Sequence, residues 1–152
     1  MKKIEKLLVY KKAMSISKLV ESFMLAIPED DVFLQQSKGS MMEDAITIPA
    51  KIAGAEGGDL YSIRMQNAAI IRHHALHLYA QIGSLRFHSK FKDVEYVSLI
   101  RYELEEFRLL FIEWVESFDK NNHIWDDWGM FNPANAIPPD NFDDDFNLTD
   151  FT

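Results

Sequence analysis

The sequence contains no cysteine and only five prolines and six glycines among its 152 residues. Without cysteine the chain has no disulfide, no thiolate metal ligand and no cysteine nucleophile. Its apolar runs fall short of the roughly 18 residues that a membrane span requires. The lysine-rich start is not followed by the apolar block of a signal peptide. These absences predict a cytoplasmic protein without membrane contact.

Most of the net negative charge lies at the end of the chain. Residues 1–118 carry 15 Lys or Arg against 16 Asp or Glu, whereas residues 119–152 carry one Lys against eight acidic residues. Hydrophobic residues make up 47% of the chain and charged residues 26%, which is ordinary for a globular domain. The length corresponds to one domain. We therefore expect one globular body followed by an acidic tail.

Apolar residues in the body recur at steps of three and four, the spacing of an amphipathic helix. Only Pro28 and Pro49 interrupt the first 118 residues, so helix is permitted almost throughout. The pattern predicts an all-α fold, an antiparallel up-and-down four-helix bundle over residues 1–119, with an extended acidic-aromatic tail over 120–152. The predicted helices cover about residues 5–27, 30–53, 60–87 and 93–119.

Local signals add detail to the last three helices. Pro49 should bend the second helix, because it has no amide to donate to Ala45. Asp59 and Asp93 are the predicted N-caps of the third and fourth helices. In the third helix, 14 of the 23 residues from 60 to 82 are apolar or Tyr, which is more than one core-facing stripe. The surplus predicts a subunit interface and a homo-oligomer.

The tail is too apolar to be a solvating acidic segment. It is predicted to be irregular and to dock on the bundle or on a neighbouring subunit, with Asp143, Asp144 and Asp145 near the lysines of the first helix. Its large apolar residues are Trp125, Trp128, Met130, Phe131, Ile137, Phe142, Phe146, Leu148 and Phe151.

A metal site is one enzymatic possibility for this fold, because helical bundles commonly hold two metals through Glu-x-x-His pairs. No Glu in this chain has a His three residues later, which excludes that arrangement. His73 and His77 lie one turn apart and form the only alternative pair of metal ligands. We predict neither a metal nor a cofactor.

A second enzyme hypothesis comes from Arg72, His77 and Tyr79, which resemble the R-x4-H-x-Y motif of the HEPN ribonucleases, themselves small helical bundles. In such a site the arginine would hold the scissile phosphate and the histidine would move a proton from a ribose 2′-hydroxyl. The resemblance implies a ribonuclease that uses Arg72 and His77, and we keep it as the alternative function.

Two segments concentrate positive charge. Residues 60–92 contain five Lys or Arg and no acidic residue, and residues 2–18 contain six Lys against one Glu. The first and third helices are therefore candidates to contact the phosphates of nucleic acid. A net charge of −8 favours the plainer explanation of solvated helix faces. The candidate phosphate contacts are Lys11, Lys12, Arg64, Arg72 and Arg86.

Short motifs resemble the bacterial four-helix-bundle family encoded by intervening sequences in large-subunit ribosomal RNA genes. Residues 9–13 read V-Y-K-K-A, like the start of that family's first helix, and residues 27–29 read I-P-E, like its first turn. Residues 47–53 read T-I-P-A-K-I-A and precede Glu56-Gly57, which is similar to the family's S-I-P-x-N-I-A-E-G. The resemblance implies a ring-forming bundle, often a pentamer, with no reaction of its own. Our main prediction is a non-enzymatic oligomeric interaction or assembly module.

Overall fold

The computed structural model describes residues 3–139, which form four α-helices and no β-strand. Each helix packs against two others, in the cyclic order α1–α2–α3–α4. The prediction of an all-α four-helix bundle is confirmed. Within that range no helix has both the length and the apolar character needed to cross a membrane. The helices are α1 (Leu8–Met24), α2 (Val32–Glu56), α3 (Tyr61–Ser84) and α4 (Val94–Glu116), with short 3-10 helices at Lys3–Lys6 and Leu85–Phe87.

Side-chain contacts show that α1 and α4 run antiparallel. Near the middle of α1, Lys12 Nζ lies 2.8 Å from Glu103 Oε2 of α4. At the end of α1, the Phe23 ring lies 5.5 Å from that of Tyr96, which is near the start of α4. The short connections between consecutive helices make each helix antiparallel to the next. Helices α1 and α3 therefore occupy opposite corners of the bundle.

The apolar stripes read from the sequence form the core. The apolar positions whose three- and four-residue spacing predicts the core of the first, second and fourth helices are all buried, except for Phe111, which is half-buried. In the second and fourth helices and the residues just after α4 they are Leu34, Met41, Ala45, Ile48, Ile52, Val97, Ile100, Leu104, Phe107, Phe111, Trp114 and Phe118. Burying a large apolar side chain stabilises the fold by about 1.5 to 3 kcal/mol, so these stripes supply most of the driving force for packing. The buried positions of α1 and of the following turn are Val9, Ala13, Ile16, Val20, Phe23 and Ile27.

The ends of α1 and α2 differ from those predicted. Helix α1 ends at Met24 rather than at Ile27, because three successive i→i+3 hydrogen bonds tighten the chain before Pro28. Helix α2 begins after Asp31, whose Oδ1 accepts the Leu34 N–H at 2.9 Å. It then runs through the buried Pro49 and ends at Glu56, later than predicted.

The predicted side-chain caps of α3 and α4 are wrong. The N-cap position of α3 is Leu60, not Asp59, and the Tyr61 N–H donates instead to the Asn122 carbonyl at 2.8 Å. Asp93 does occupy the N-cap position of α4, but its carboxylate accepts no capping hydrogen bond. The first backbone amide of α3 is therefore satisfied by a residue that follows α4, which local sequence cannot reveal.

The described part of the tail packs against the start of α3. Around Ile63 of α3 lie the half-buried Trp125 and Phe131. The expected burial of tail side chains does not extend to Trp128, Met130 and Ile137, which are 90%, 72% and 80% exposed. The remaining apolar tail residues and the predicted contact of Asp143, Asp144 and Asp145 with α1 lie outside the described residues. Those residues are Phe142, Phe146, Leu148 and Phe151.

Candidate functional site

An apolar groove of about 370 Å³ lies between α3 and α4, and we call it the α3–α4 groove. Large apolar residues of both helices line it. Two of them, Leu76 and Ile112, remain 52% and 41% exposed. Exposed apolar surface concentrated in a concavity is typical of a binding site. The lining residues are Arg72, Ala75, Leu76, Tyr79, Leu104, Glu105, Phe107, Arg108, Phe111 and Ile112.

One wall of the groove is fixed by an arginine from the neighbouring helix. The Arg101 guanidinium lies over the Tyr79 ring, with its Cζ 3.9 Å from the ring centroid. The arginine fits there because position 83 is a glycine: a Cβ on Gly83 would stand only 3.1 Å from the Arg101 Cζ. Tyr79 is thus held in place by contacts across α3 and α4.

The rim of the groove carries more positive than negative charge. Arg108 Nε donates to Glu105 Oε2 at 3.1 Å on the α4 side. Arg72 on the α3 side is exposed and has no hydrogen-bond or ion-pair partner among residues 3–139. An apolar floor with an unpaired guanidinium at its edge suits an apolar or aromatic group that carries negative charge beside it.

A second polar cluster lies between α2 and α3, around Asp44. Asp44 is only 3% exposed. Its Oδ1 lies 2.7 Å from His74 Nδ1, and its Oδ2 lies 2.6 Å from His77 Nδ1. A carboxylate that accepts both Nδ1–H groups leaves each Nε2 as the outward-facing nitrogen. The His73 ring lies nearly parallel to that of His77, with centroids 6.1 Å apart. The cluster satisfies a buried charge and joins two helices.

The structure separates the residues of the predicted ribonuclease motif. Arg72 lines the α3–α4 groove, whereas His77 is bound to Asp44 on the side facing α2. Five residues along a helix amount to a rotation of about 140°, so the two side chains diverge. The Tyr79 ring is covered by the Arg101 guanidinium. In the described residues, Arg72 and His77 therefore share no pocket.

Among residues 3–139, no further side chains complete a metal site around His73 and His77, the candidate metal ligands. His73 and His77 are neighbours, but Asp44 approaches the Nδ1 atom of His77 and not a common point between the rings. Over residues 3–139, no group of three or more His, Cys, Asp or Glu side chains is arranged to hold a metal ion.

The five candidate phosphate contacts do not form one surface. Lys12 is paired with Glu103, and Arg86 donates from Nε to the Gly83 carbonyl at 2.9 Å. Lys11 and Arg72 are exposed, but they lie on helices at opposite corners of the bundle. Arg64 is the one clear error, because its guanidinium is buried inside the protein and cannot reach a phosphate.

Arg64 belongs to a buried cluster that sequence reasoning missed, and we call it the Glu56 cluster. Glu56, at the end of α2, accepts hydrogen bonds from Arg64 Nη2 of α3 and, at 2.7 Å, from Trp114 Nε1 of α4. The Arg64 guanidinium also lies 4.4 Å from the centroid of the Phe118 ring. One carboxylate thus ties three helices together. The only sequence signal was the Glu56-Gly57 dipeptide, which pointed to a motif but not to its partners.

A hydrogen-bonded loop over residues 126–132, which we call the Asp126 loop, was also missed. The Asp126 carboxylate accepts the backbone N–H groups of Phe131 at 2.9 Å and of Trp128 and Met130 at 3.0 Å. These bonds, led by that from Phe131, hold the pKa of Asp126 below its ordinary value of 3.8, although burial opposes them. The loop is therefore ordered around an ionised carboxylate.

A scan against protein-family models finds no match to this sequence, and a search of curated proteins finds none either.

Proposed function

We propose that this protein is a non-enzymatic assembly module that binds further copies of itself through the α3–α4 groove. The observation that carries the proposal is the groove itself, with Leu76 and Ile112 half-exposed on an apolar floor. The surplus of apolar residues in α3 predicts a partner beyond the bundle, and Leu76 in the groove is one of the α3 residues that remain half-exposed.

Burial of the groove residues would supply part of the free energy that association requires. Completing the burial of Leu76 and Ile112 would gain up to about 1.5 to 3 kcal/mol for each side chain if it were fully exposed beforehand, and about half of that here. The two side chains together therefore contribute about 1.5 to 3 kcal/mol, which is less than the roughly 4 kcal/mol or more that association costs, so a stable contact must bury further surface. Neighbouring exposed residues of α4, including Leu109 one turn before Ile112, would extend the contact.

The resemblance to the bundle family encoded by ribosomal RNA intervening sequences is part of this proposal. It implies a ring of subunits, often a pentamer, in which each copy presents the groove and a second, different surface that fills the groove of its neighbour. We propose action in the cytoplasm, which the absence of cysteine favours.

Contact with nucleic acid is the weaker part of the proposed function. With Arg64 buried and Lys12 paired, the exposed basic residues of α1 and α3 are few and lie apart. Nucleic-acid binding that depends on phosphate contacts requires a contiguous basic surface. Protein–protein assembly is therefore the function we favour.

A charge placed in the groove tests the proposal. Leu76→Glu puts a carboxylate on the apolar floor, and even if it pairs with Arg72 one turn earlier, a second copy that covers the groove must desolvate both charges, so we expect the variant to be monomeric. Leu25→Glu is the matched control, because Leu25 is 89% exposed in the turn after α1 and does not line the groove. Light scattering coupled to gel filtration measures the mass of each variant. An assembly that survives Leu76→Glu unchanged would contradict the proposal.

A further inference from the structure

Trp128 is the most exposed large apolar side chain in residues 3–139, at 90%, yet its backbone is firmly held. It sits in the Asp126 loop, beside Gly129 with a φ of 72°, a left-handed conformation that glycine adopts without strain. Asn132 closes the loop: its Nδ2 donates to the Asp126 carbonyl at 3.1 Å and its Oδ1 accepts the Asp126 N–H at 2.8 Å. A tryptophan presented on an ordered loop has the form of a binding anchor.

The α3–α4 groove is complementary to this loop in size, polarity and charge. A cavity of about 370 Å³ is large enough for an indole ring. The guanidinium groups of Arg72 and Arg108 at the rim can lie against the face of the ring. The loop also carries Asp126 and Asp127, and residues 121–139 contain no Lys or Arg. Negative charge beside an aromatic anchor matches the excess positive charge at the rim.

Trp128 does not occupy the groove of its own chain. The Asn122 carbonyl fixes the base of the tail to the Tyr61 N–H at the start of α3, and the loop packs beside Ile63. The first groove residue, Arg72, lies eleven positions after Tyr61, about 16 Å farther along the helix. The exposure of Trp128 shows directly that no described residue covers it.

We infer that Trp128 of one copy inserts into the α3–α4 groove of the next copy. This rests on the proposed function and names the surface that fills the groove. The loop and the groove are different surfaces, so the contact is heterologous, and repetition of it generates a closed ring or an open filament. Each copy then offers one loop and one groove. In an open filament, one loop and one groove remain unoccupied, one at each end.

Complementary variants test the inference. Trp128→Ala removes the anchor but keeps the groove, and Leu76→Glu blocks the groove but keeps the anchor. We expect each variant alone to be monomeric, with association weakened at least about 30-fold, as for the loss of an interface hot spot. Mixed together, they should form a one-to-one dimer, because the intact loop of one variant meets the intact groove of the other. Ile137→Ala, at another exposed tail residue, is the matched control and should assemble normally.

Sedimentation velocity measures these four samples and the unmodified chain. High protein concentration is needed because a single contact lacks the reinforcement of ring closure. Circular dichroism melts confirm that Trp128→Ala is folded. An assembly retained in Trp128→Ala but lost in Leu76→Glu would overturn the inference and leave the proposed function standing. Monomers in the mixture would also overturn it. A monomeric unmodified chain would overturn the proposed function and the inference together.

Discussion

Removal of the Glu56 carboxylate should be among the most damaging substitutions in the bundle. In Glu56→Ala the guanidinium of Arg64, with a side chain only 11% exposed, loses its ion-pair partner, and the indole N–H of Trp114 loses its acceptor. Breaking a buried ion pair by deleting one partner costs about 3 to 5 kcal/mol. An unsatisfied N–H costs about 1 to 3 kcal/mol, and the two losses overlap because they share one oxygen.

We therefore expect Glu56→Ala to lower the free energy of unfolding by about 3 to 5 kcal/mol, a large part of the roughly 5 to 15 kcal/mol of a typical domain. Glu56→Gln keeps an oxygen acceptor for Trp114 and a neutral one for Arg64, so its cost should be smaller, about 1 to 2 kcal/mol. The double variant Glu56→Ala with Arg64→Met should be more stable than Glu56→Ala alone, because it also removes the stranded charge.

Urea unfolding followed by circular dichroism measures these differences. The series is best made in the Leu76→Glu background, because assembly would otherwise make stability depend on protein concentration. A loss below about 1 kcal/mol in Glu56→Ala, or equal losses for the Ala and Gln variants, would refute the assignment of a buried charged pair.

Two other predictions concern single carboxylates. Asp44→Ala should lower the free energy of unfolding by about 1 to 3 kcal/mol, because His74 and His77 lose their shared acceptor, and unchanged urea unfolding would count against that link. The pKa of Asp31 is held below 3.8 chiefly by the Leu34 N–H, so its stabilising charge is fully present above pH 3.8 and is lost as the pH falls through the lower folded-state pKa. Acid melts of Asp31→Asn, which keeps a capping oxygen, should therefore show a shallower loss below pH 3.8 than the unmodified chain, and parallel curves would contradict this.

The fold was predictable because its signal is repeated many times. A stripe such as that from Val9 to Ile27 specifies one buried face by several independent residues, so an error at any one position changes little. Helix ends depend on single contacts and were predicted less well. Asp59 looks like an N-cap, but Tyr61 is satisfied by Asn122, which follows a helix that begins more than thirty positions later.

The site was less predictable because its partners come from separate helices. Arg64 stands in a segment without acidic residues, which suggested an exposed basic face. Its partner Glu56 precedes the turn between α2 and α3, and Trp114 belongs to α4, so only the packed bundle shows that the arginine is buried. The groove was difficult to predict for the same reason. Excess apolar residues in α3 indicated an unpartnered face, but they did not indicate that Ile112 of α4 would line the same groove.

The central claim is that this chain assembles with itself, and the mass of the unmodified protein in solution tests it most directly. Sedimentation equilibrium at tens of micromolar protein measures that mass without reference to shape. We predict a multiple of the 17.7 kDa chain mass, and a ring would give one fixed multiple over a range of concentrations. A mass of 17.7 kDa throughout that range would contradict the account.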